Sequence, residues 1–221
     1  IADQGKDSLN AICVVQLRQT GRILVVGCWF PDGFEMMEFA HLSPAMQNYQ
    51  RKAGREHIPS IQPGYEGQNI ARTYVMHSDD DGRTWSPMRD ITRMAKRPAP
   101  DLSCVPGPGL ALELREGPHA GRILVPCWTR GLGRGRVEPD RLKYLVKPYA
   151  IFSDDGGNTW QRGEVAPEGA GEGEDQGDET QFVELPGGAI MANSRAPRRN
   201  VAISRDGGVT WSALRAEPAL K

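Results

Sequence analysis

The sequence predicts an all-β fold of repeated four-stranded antiparallel units, and three observations carry that expectation. The 221 residues include 26 glycines and 17 prolines, about a fifth of the chain where average usage would give roughly 12%. That excess suits many turns and short strands better than long helices. Three octapeptides align without gaps: Ser78–Trp85 (SDDDGRTW), Ser153–Trp160 (SDDGGNTW) and Ser204–Trp211 (SRDGGVTW), all reading S-x-D-x-G-x-T-W. The second and third begin about 50 residues apart, the size of one four-stranded propeller blade, and the longer interval before the second implies one insertion.

A second repeat precedes each octapeptide. Leu17–Trp29 (LRQTGRILVVGCW) parallels Leu114–Trp128 (LREGPHAGRILVPCW), and Val183–Arg195 (VELPGGAIMANSR) follows the same plan of strand, Gly-containing turn and strand. Third strands are expected at Arg72–His77, Lys147–Phe152 and Asn200–Ile203, each leading into its octapeptide. Pro44–Ala53 reads as a short helix inside the insertion before the first octapeptide. Within an octapeptide the central Asp can accept backbone N–H bonds, the Gly supplies a positive φ, and the Trp packs against the hairpin. The motif is therefore expected to close a β-hairpin and not to form a site. A calcium reading through Asp79 and Asp81 fails on spacing, because an EF-hand loop needs a Glu six residues after its Gly and Met88 stands there.

Composition excludes several function classes. With 27 Lys+Arg against 28 Asp+Glu and a net charge of −1, nothing draws the chain to nucleic acid or an anionic membrane. The longest apolar stretch, Ile23–Phe30, is far short of the roughly 18 residues that span a bilayer. The four histidines, His41, His57, His77 and His119, show no i,i+4 pairing, so no zinc site, no other metal and no cofactor is expected. Gly131–Arg136 has a faint phosphate-loop look but lacks the Gly-Lys-Ser/Thr and the helix, and reads as a flexible inter-strand loop. Cys13, Cys28, Cys104 and Cys127 lack any CxxC spacing. They read either as four buried free thiols or as two bridges, Cys13–Cys28 and Cys104–Cys127, between neighbouring strands in an oxidising compartment.

The octapeptides resemble the Asp-box of bacterial neuraminidases, which marks the β-propeller of sialidases and of several other proteins that handle carbohydrates. Asp178–Arg195 (DETQFVELPGGAIMANSR), running through Arg199 into the third octapeptide, resembles the sialidase segment N-E-S-Q-x-V-E-L-x-D-G-x-L-M-x-N-x-R. Pro106–Leu112 (PGPGLAL) with Gly121–Pro126 (GRILVP) is similar to the family's G-P-G-x-G-I … G-R-L-L-x-P. The resemblance implies a β-propeller with six blades when complete, about 300 residues at roughly 50 each. Residues 1–221 then read as a single sialidase-like domain containing part of that ring, about four blades by count of hairpins and octapeptides. The implied activity is that of a retaining exo-α-sialidase acting on a glycan or sialoside with a terminal sialic acid, in a secreted or periplasmic setting. Oligomeric state carries no signal.

In such an enzyme the anomeric carbon already bears a carboxylate, so an anionic nucleophile would be repelled. The family uses a neutral Tyr activated by a Glu, an exception to the two-carboxylate scheme. Three arginines hold the substrate carboxylate, and an Asp near the first box is the acid/base. Residue by residue, Glu179 matches the activating Glu and Arg195 the second arginine. Each has a plainer reading: Glu179 as the end of the acidic run from Glu164 through Glu172, Glu174, Asp175 and Asp178, and Arg195 as a surface residue beside Arg198 and Arg199. Asn10 or Ala11 stands where the first arginine is expected. Asp32 is the only Asp between Trp29 and Ser78, and Glu66 and His57 are further substitutes for the acid/base. The third arginine and the Tyr should follow the last box, whereas Tyr49, Tyr65, Tyr74, Tyr144 and Tyr149 all precede it. Two alternatives stay open: a glycan-binding propeller without catalysis, and an Asp-box enzyme acting on another polysaccharide.

Overall fold

The computed structural model describes residues 2–34, 42–138, 141–169, 177–196 and 199–220, and of 130–138 and 141–145 the backbone only. His41, Glu172, Glu174, Asp175 and Arg198 lie outside the described residues. In chain order the elements are β1 (Ser8–Gln16), β2 (Ile23–Phe30), α1 (Pro44–Lys52), β3 (Arg72–Ser78), β4 (Arg89–Asp90) and α2 (Thr92–Ala95). Then come β5 (Val105–Pro106), β6 (Gly109–Leu110), β7 (Leu112–Glu113), β8 (Ile123–Glu138), β9 (Arg141–Ser153) and β10 (Gln161–Arg162). The last four are β11 (Asp178–Glu184), β12 (Ile190–Arg195), β13 (Asn200–Ser204) and β14 (Arg215–Ala216).

These strands form three sheets among the described residues, in the orders β4-β3-β2-β1-β6, β10-β9-β8-β5 with β7 also on β8, and β11-β12-β13-β14. Each hairpin and the octapeptide after it belong to one sheet, and the insertion carrying α1 separates them in the first. Ser43 caps α1 by accepting the N–H of Met46, and Pro44 starts the helix with a preset φ. The third strands form where expected. Gly131–Arg136 does not: it continues β8, with Gly131 opposite Leu145 and Arg136 opposite Leu142. Cross-strand backbone bonds hold this glycine-rich run extended, and they depend little on side chains.

The middle sheet is buried on both faces. On β8, Ile123, Val125 and Cys127 point into one cluster with Leu24, Val26 and Val75 of the first sheet, while Leu124 points into a second cluster with Ile190 and Trp211 of the third. On β9, Tyr149 and Ile151 alternate with Ala150 and Phe152 in the same way. Two-sided burial explains why these strands read as unbroken apolar runs and not as an alternating pattern.

All four cysteines are buried free thiols, which corrects the bridged reading. A bulge in β1 sets Asn10 opposite Cys28 and Cys13 opposite Val26, and Cys127 faces Pro106, so neither pair stands directly across a ladder. Burial pushes the Cys13 thiol up to about 12.

The octapeptides close the β3–β4, β9–β10 and β13–β14 connections. Asp80 accepts the Thr84 N–H at 2.8 Å and the Thr84 hydroxyl at 2.6 Å, and Asp155 with Thr159 and Asp206 with Thr210 repeat the pattern. They also join sheets. Arg89 donates to the Gly157 carbonyl at 2.6 Å, and Arg122 to the Gly207 carbonyl at 3.0 Å. A Cβ on Gly157 would stand 3.0 Å from Leu24 Cδ1, and one on Gly208 2.4 Å from Leu124 Cδ1. The arginine of each G-R-I-L turn grips the second octapeptide residue, Arg22 with Asp79 and Arg122 with Asp154. The third repeat has Ala189 and Arg205 at these two places, so both partners differ together.

Two outcomes follow from these contacts. Gly208 has φ +87° and no room for a side chain, so Gly208→Ala should cost more than about 2 kcal/mol, read as a lower urea midpoint at constant slope. The Thr84 hydroxyl, followed by the Thr84 and Ser78 hydrogen bonds, lowers Asp80 from 3.8 to about 2. Hydrogen bonds from Thr159 and Thr210 outweigh burial to lower Asp155 and Asp206. A depressed carboxylate stabilises fully above its unfolded value and loses that contribution as pH falls through the folded one. Stability should therefore decline below about pH 4, with the Asp80 share gone near pH 2, and Thr84→Val should flatten that decline in acid titrations followed by Trp fluorescence.

Candidate active site

In the third sheet the two ends differ in kind. Ile190 pairs with Ser204 at the octapeptide end, while Asp178 pairs with Arg195 at the other. The hairpin β11–β12 thus brings Glu179 and Arg195 together at the end away from the octapeptide. Arg195 Nη1 lies 3.1 Å from Glu179 Oε2 and 3.8 Å from Asp178 Oδ1. Both side chains are about half exposed, so the pair contributes at most about 1 kcal/mol to stability. Its chemistry is more informative. Arg195 has N–H donors to spare for an incoming anion, and Glu179 offers a carboxylate that can accept a proton.

Glu179 occupies a bulge. Asp178 pairs with Arg195 and Gln181 with Asn193, so Glu179 and Thr180 together face only Ser194. Glu179 has φ +26°, a region that side-chain-bearing residues avoid. Beneath it, fully buried Thr180 and Ser194 join hydroxyls at 2.9 Å. β1 carries the matching bulge between Asn10 and Cys13, where Ala11 has φ +50°. Neither residue at that place supplies a cation, and Asn10 Nδ2 donates to Ser8 Oγ at 3.1 Å.

The other sequence candidates are scattered. Asp32 follows β2, and its N–H donates to Asp7 Oδ1 at 2.8 Å, while Asp7 Oδ2 accepts the Trp29 indole N–H at 2.6 Å. These residues line a cleft of about 490 Å³ with Phe34, Gln68 and Arg72. Glu66 is 82% exposed and paired with Arg93, and His57 is 92% exposed beside Glu56. The tyrosines are engaged elsewhere: Tyr149 donates to the Ala95 carbonyl at 3.0 Å, Tyr65 to the Lys96 carbonyl at 3.2 Å, Tyr74 is buried and Tyr49 is exposed. The side chain of Tyr144 lies outside the described residues.

Sequence reasoning missed a buried polar group beside the entry to β5. Arg162 and Asp101 pair at 3.0 Å with side chains 8% and 5% exposed, and Arg162 stacks on Tyr149. Lys96, 2% exposed, donates to the Leu102 carbonyl at 3.0 Å, and burial brings its ammonium down to about 8. No spacing in the sequence announces this group, because its members come from three separate segments. No group of three or more His, Cys, Asp or Glu among the described residues is placed to hold a metal ion. No helix among them is long and apolar enough to cross a membrane.

Residues 51–219 match the BNR repeat-like domain family. The chain is 32% identical over 180 residues to a sialidase of Micromonospora viridifaciens, covering 76% of this chain and 24% of that protein. It is 30% identical to sialidase-4 of Mus musculus, covering 70% and 31%. It therefore spans a quarter to a third of these relatives. Among solved structures, a Hadza microbial sialidase, Hz136, superposes with a TM-score of 0.69 at 23% identity over 98% of this chain and 34% of its own. The intramolecular trans-sialidase of Ruminococcus gnavus superposes at 0.64 and 18% identity, over 99% and 56%. The three octapeptides, their hairpins and the β11–β12 segment thus find a common origin: this chain belongs to the sialidase superfamily, among its proteins with BNR repeats.

Proposed function

We propose that this chain contributes part of the active site of a retaining exo-α-sialidase, cleaving terminal sialic acid or a related acidic sugar from a glycan. The observation that carries the reading is the Glu179–Arg195 pair, 3.1 Å apart, at the end of its sheet away from the octapeptide. Arg195 releases Glu179 to receive the substrate carboxylate, holding it by charge-assisted hydrogen bonds. Glu179, freed from its partner, takes the proton of a neutral hydroxyl nucleophile, because a second anion would be repelled by the carboxylate at the anomeric carbon. The ring of six blades, the nucleophilic Tyr and the remaining arginines belong to the same reading. A second reading, glycan binding without cleavage, draws on Asn10 and Ala11 at the bulge of β1, where no arginine stands.

The test is made on the intact protein with a fluorogenic sialoside and, by calorimetry, with 2-deoxy-2,3-didehydro-sialic acid. Glu179→Gln should lower kcat about 100- to 10,000-fold with a nearly unchanged Tm. Arg195→Ala should weaken inhibitor binding about 10- to 100-fold. Equal turnover in Glu179→Gln removes the assignment of the base. Binding without turnover in the wild type supports the second reading.

A further inference from the structure

We propose that Gln181 is a positioning residue, clamping the bulge that presents Glu179 against the Gly107-Pro108-Gly109 turn of the neighbouring sheet. The inference rests on the reading of Glu179 as the proton acceptor and names what holds it in place.

A bulge with positive φ at a glutamate does not persist through local preference, so its surroundings must impose it. From below, the Thr180 hydroxyl bonds Ser194 at 2.9 Å and the Asp178 carbonyl at 3.1 Å. From the side, the Gln181 amide reaches out of its own strand. Its Nε2 donates to the Pro108 carbonyl at 2.5 Å and to the Thr180 carbonyl at 3.1 Å, and its Oε1 meets the Leu110 N–H at 3.5 Å. One amide thus joins the carbonyl next to Glu179 to the backbone of another sheet.

The opposing turn is shaped to receive it. A Cβ on Gly107 would stand 2.2 Å from the Thr180 carbonyl oxygen, and one on Gly109 3.0 Å from Gln181 Nε2. The turn is itself fixed: Gly107 N–H donates to the Pro126 carbonyl at 2.8 Å, and Gly109 pairs in parallel with Cys13 of β1. The clamp therefore refers Glu179 to a framework shared by all three sheets. Arg195 sits on β12 and is not held by it. Loosening the clamp should misplace the base while leaving the anion contact intact.

The test uses Gln181→Met, which keeps the length and removes the amide, and Gln181→Glu, which sets a carboxylate against the Pro108 and Thr180 carbonyls. Both should lower kcat on the sialoside at least 10-fold with KM and inhibitor affinity within 2-fold of wild type. Both should also speed hydrogen exchange at the Glu179–Gln181 amides at least 10-fold, with the rest of the sheet unchanged. Unchanged local exchange overturns the clamp. Faster exchange throughout the sheet with a large fall in Tm, or a KM rise without loss of kcat, assigns Gln181 to general stability and overturns it too. If the wild type hydrolyses no sialoside, the catalytic reading of Glu179 fails, and the local exchange result alone decides for or against the clamp.

Discussion

How closely neighbouring sheets approach is set by glycine backbones, and the rest of the structure depends on that distance. At the octapeptide end, Gly157 lies on Leu24 and Gly208 on Leu124. Elsewhere Gly107 abuts the Thr180 carbonyl. Each contact lets main chain meet main chain or a leucine with no intervening side chain, which closes both clusters around the middle sheet. A methyl group at any of these glycines would separate two sheets and loosen every contact between them.

This constraint divides labour along the strands. The octapeptide ends are rich in hydrogen bonds and buried indoles, with Trp160 and Trp211 3% and 7% exposed. They are stable, repetitive and occupied with themselves: each central Asp spends its acceptors on its own Thr and Ser. The opposite end of the third sheet holds a half-exposed ion pair and a strained bulge. Strain of this kind costs about 1–2 kcal/mol and is tolerable only because the far end of the same strands is so firmly packed.

Much of this was legible in the sequence. Repeats that recur as octapeptide, hairpin and third strand gave the elements, because each carries local chemistry: Asp for the turn, Gly for positive φ, β-branched runs for strands. Glu179 and Arg195 were legible as candidates from their segment, and the antiparallel hairpin brings them together. The Arg22–Asp79 and Arg122–Asp154 grips were not, although their residues recur in two repeats, since nothing local says that a turn residue will reach an octapeptide about 57 or 32 positions away. The long β8–β9 arm was not legible either, because glycine-rich runs carry no period. Likewise the glycines of the Gly-Pro-Gly turn were visible, but their partner was not. A close approach is a relation between distant segments, and only the fold supplies it.

The two bulges sharpen what is general and what is particular in this site. Ala11 and Glu179 occupy corresponding places in the first strands of two sheets, both at positive φ and both two residues against one. A feature shared by an alanine and a glutamate is not produced by either side chain. Both strands are tied to the same Gly-Pro-Gly turn, β1 through Cys13 and Gly109 and β11 through Gln181. The fold therefore provides a presenting position in each of these strands, and the residue placed there decides the chemistry. In the third sheet that position holds a carboxylate beside an arginine. In the first sheet it holds a methyl group, which brings neither charge nor hydrogen-bonding capacity to the same backbone geometry.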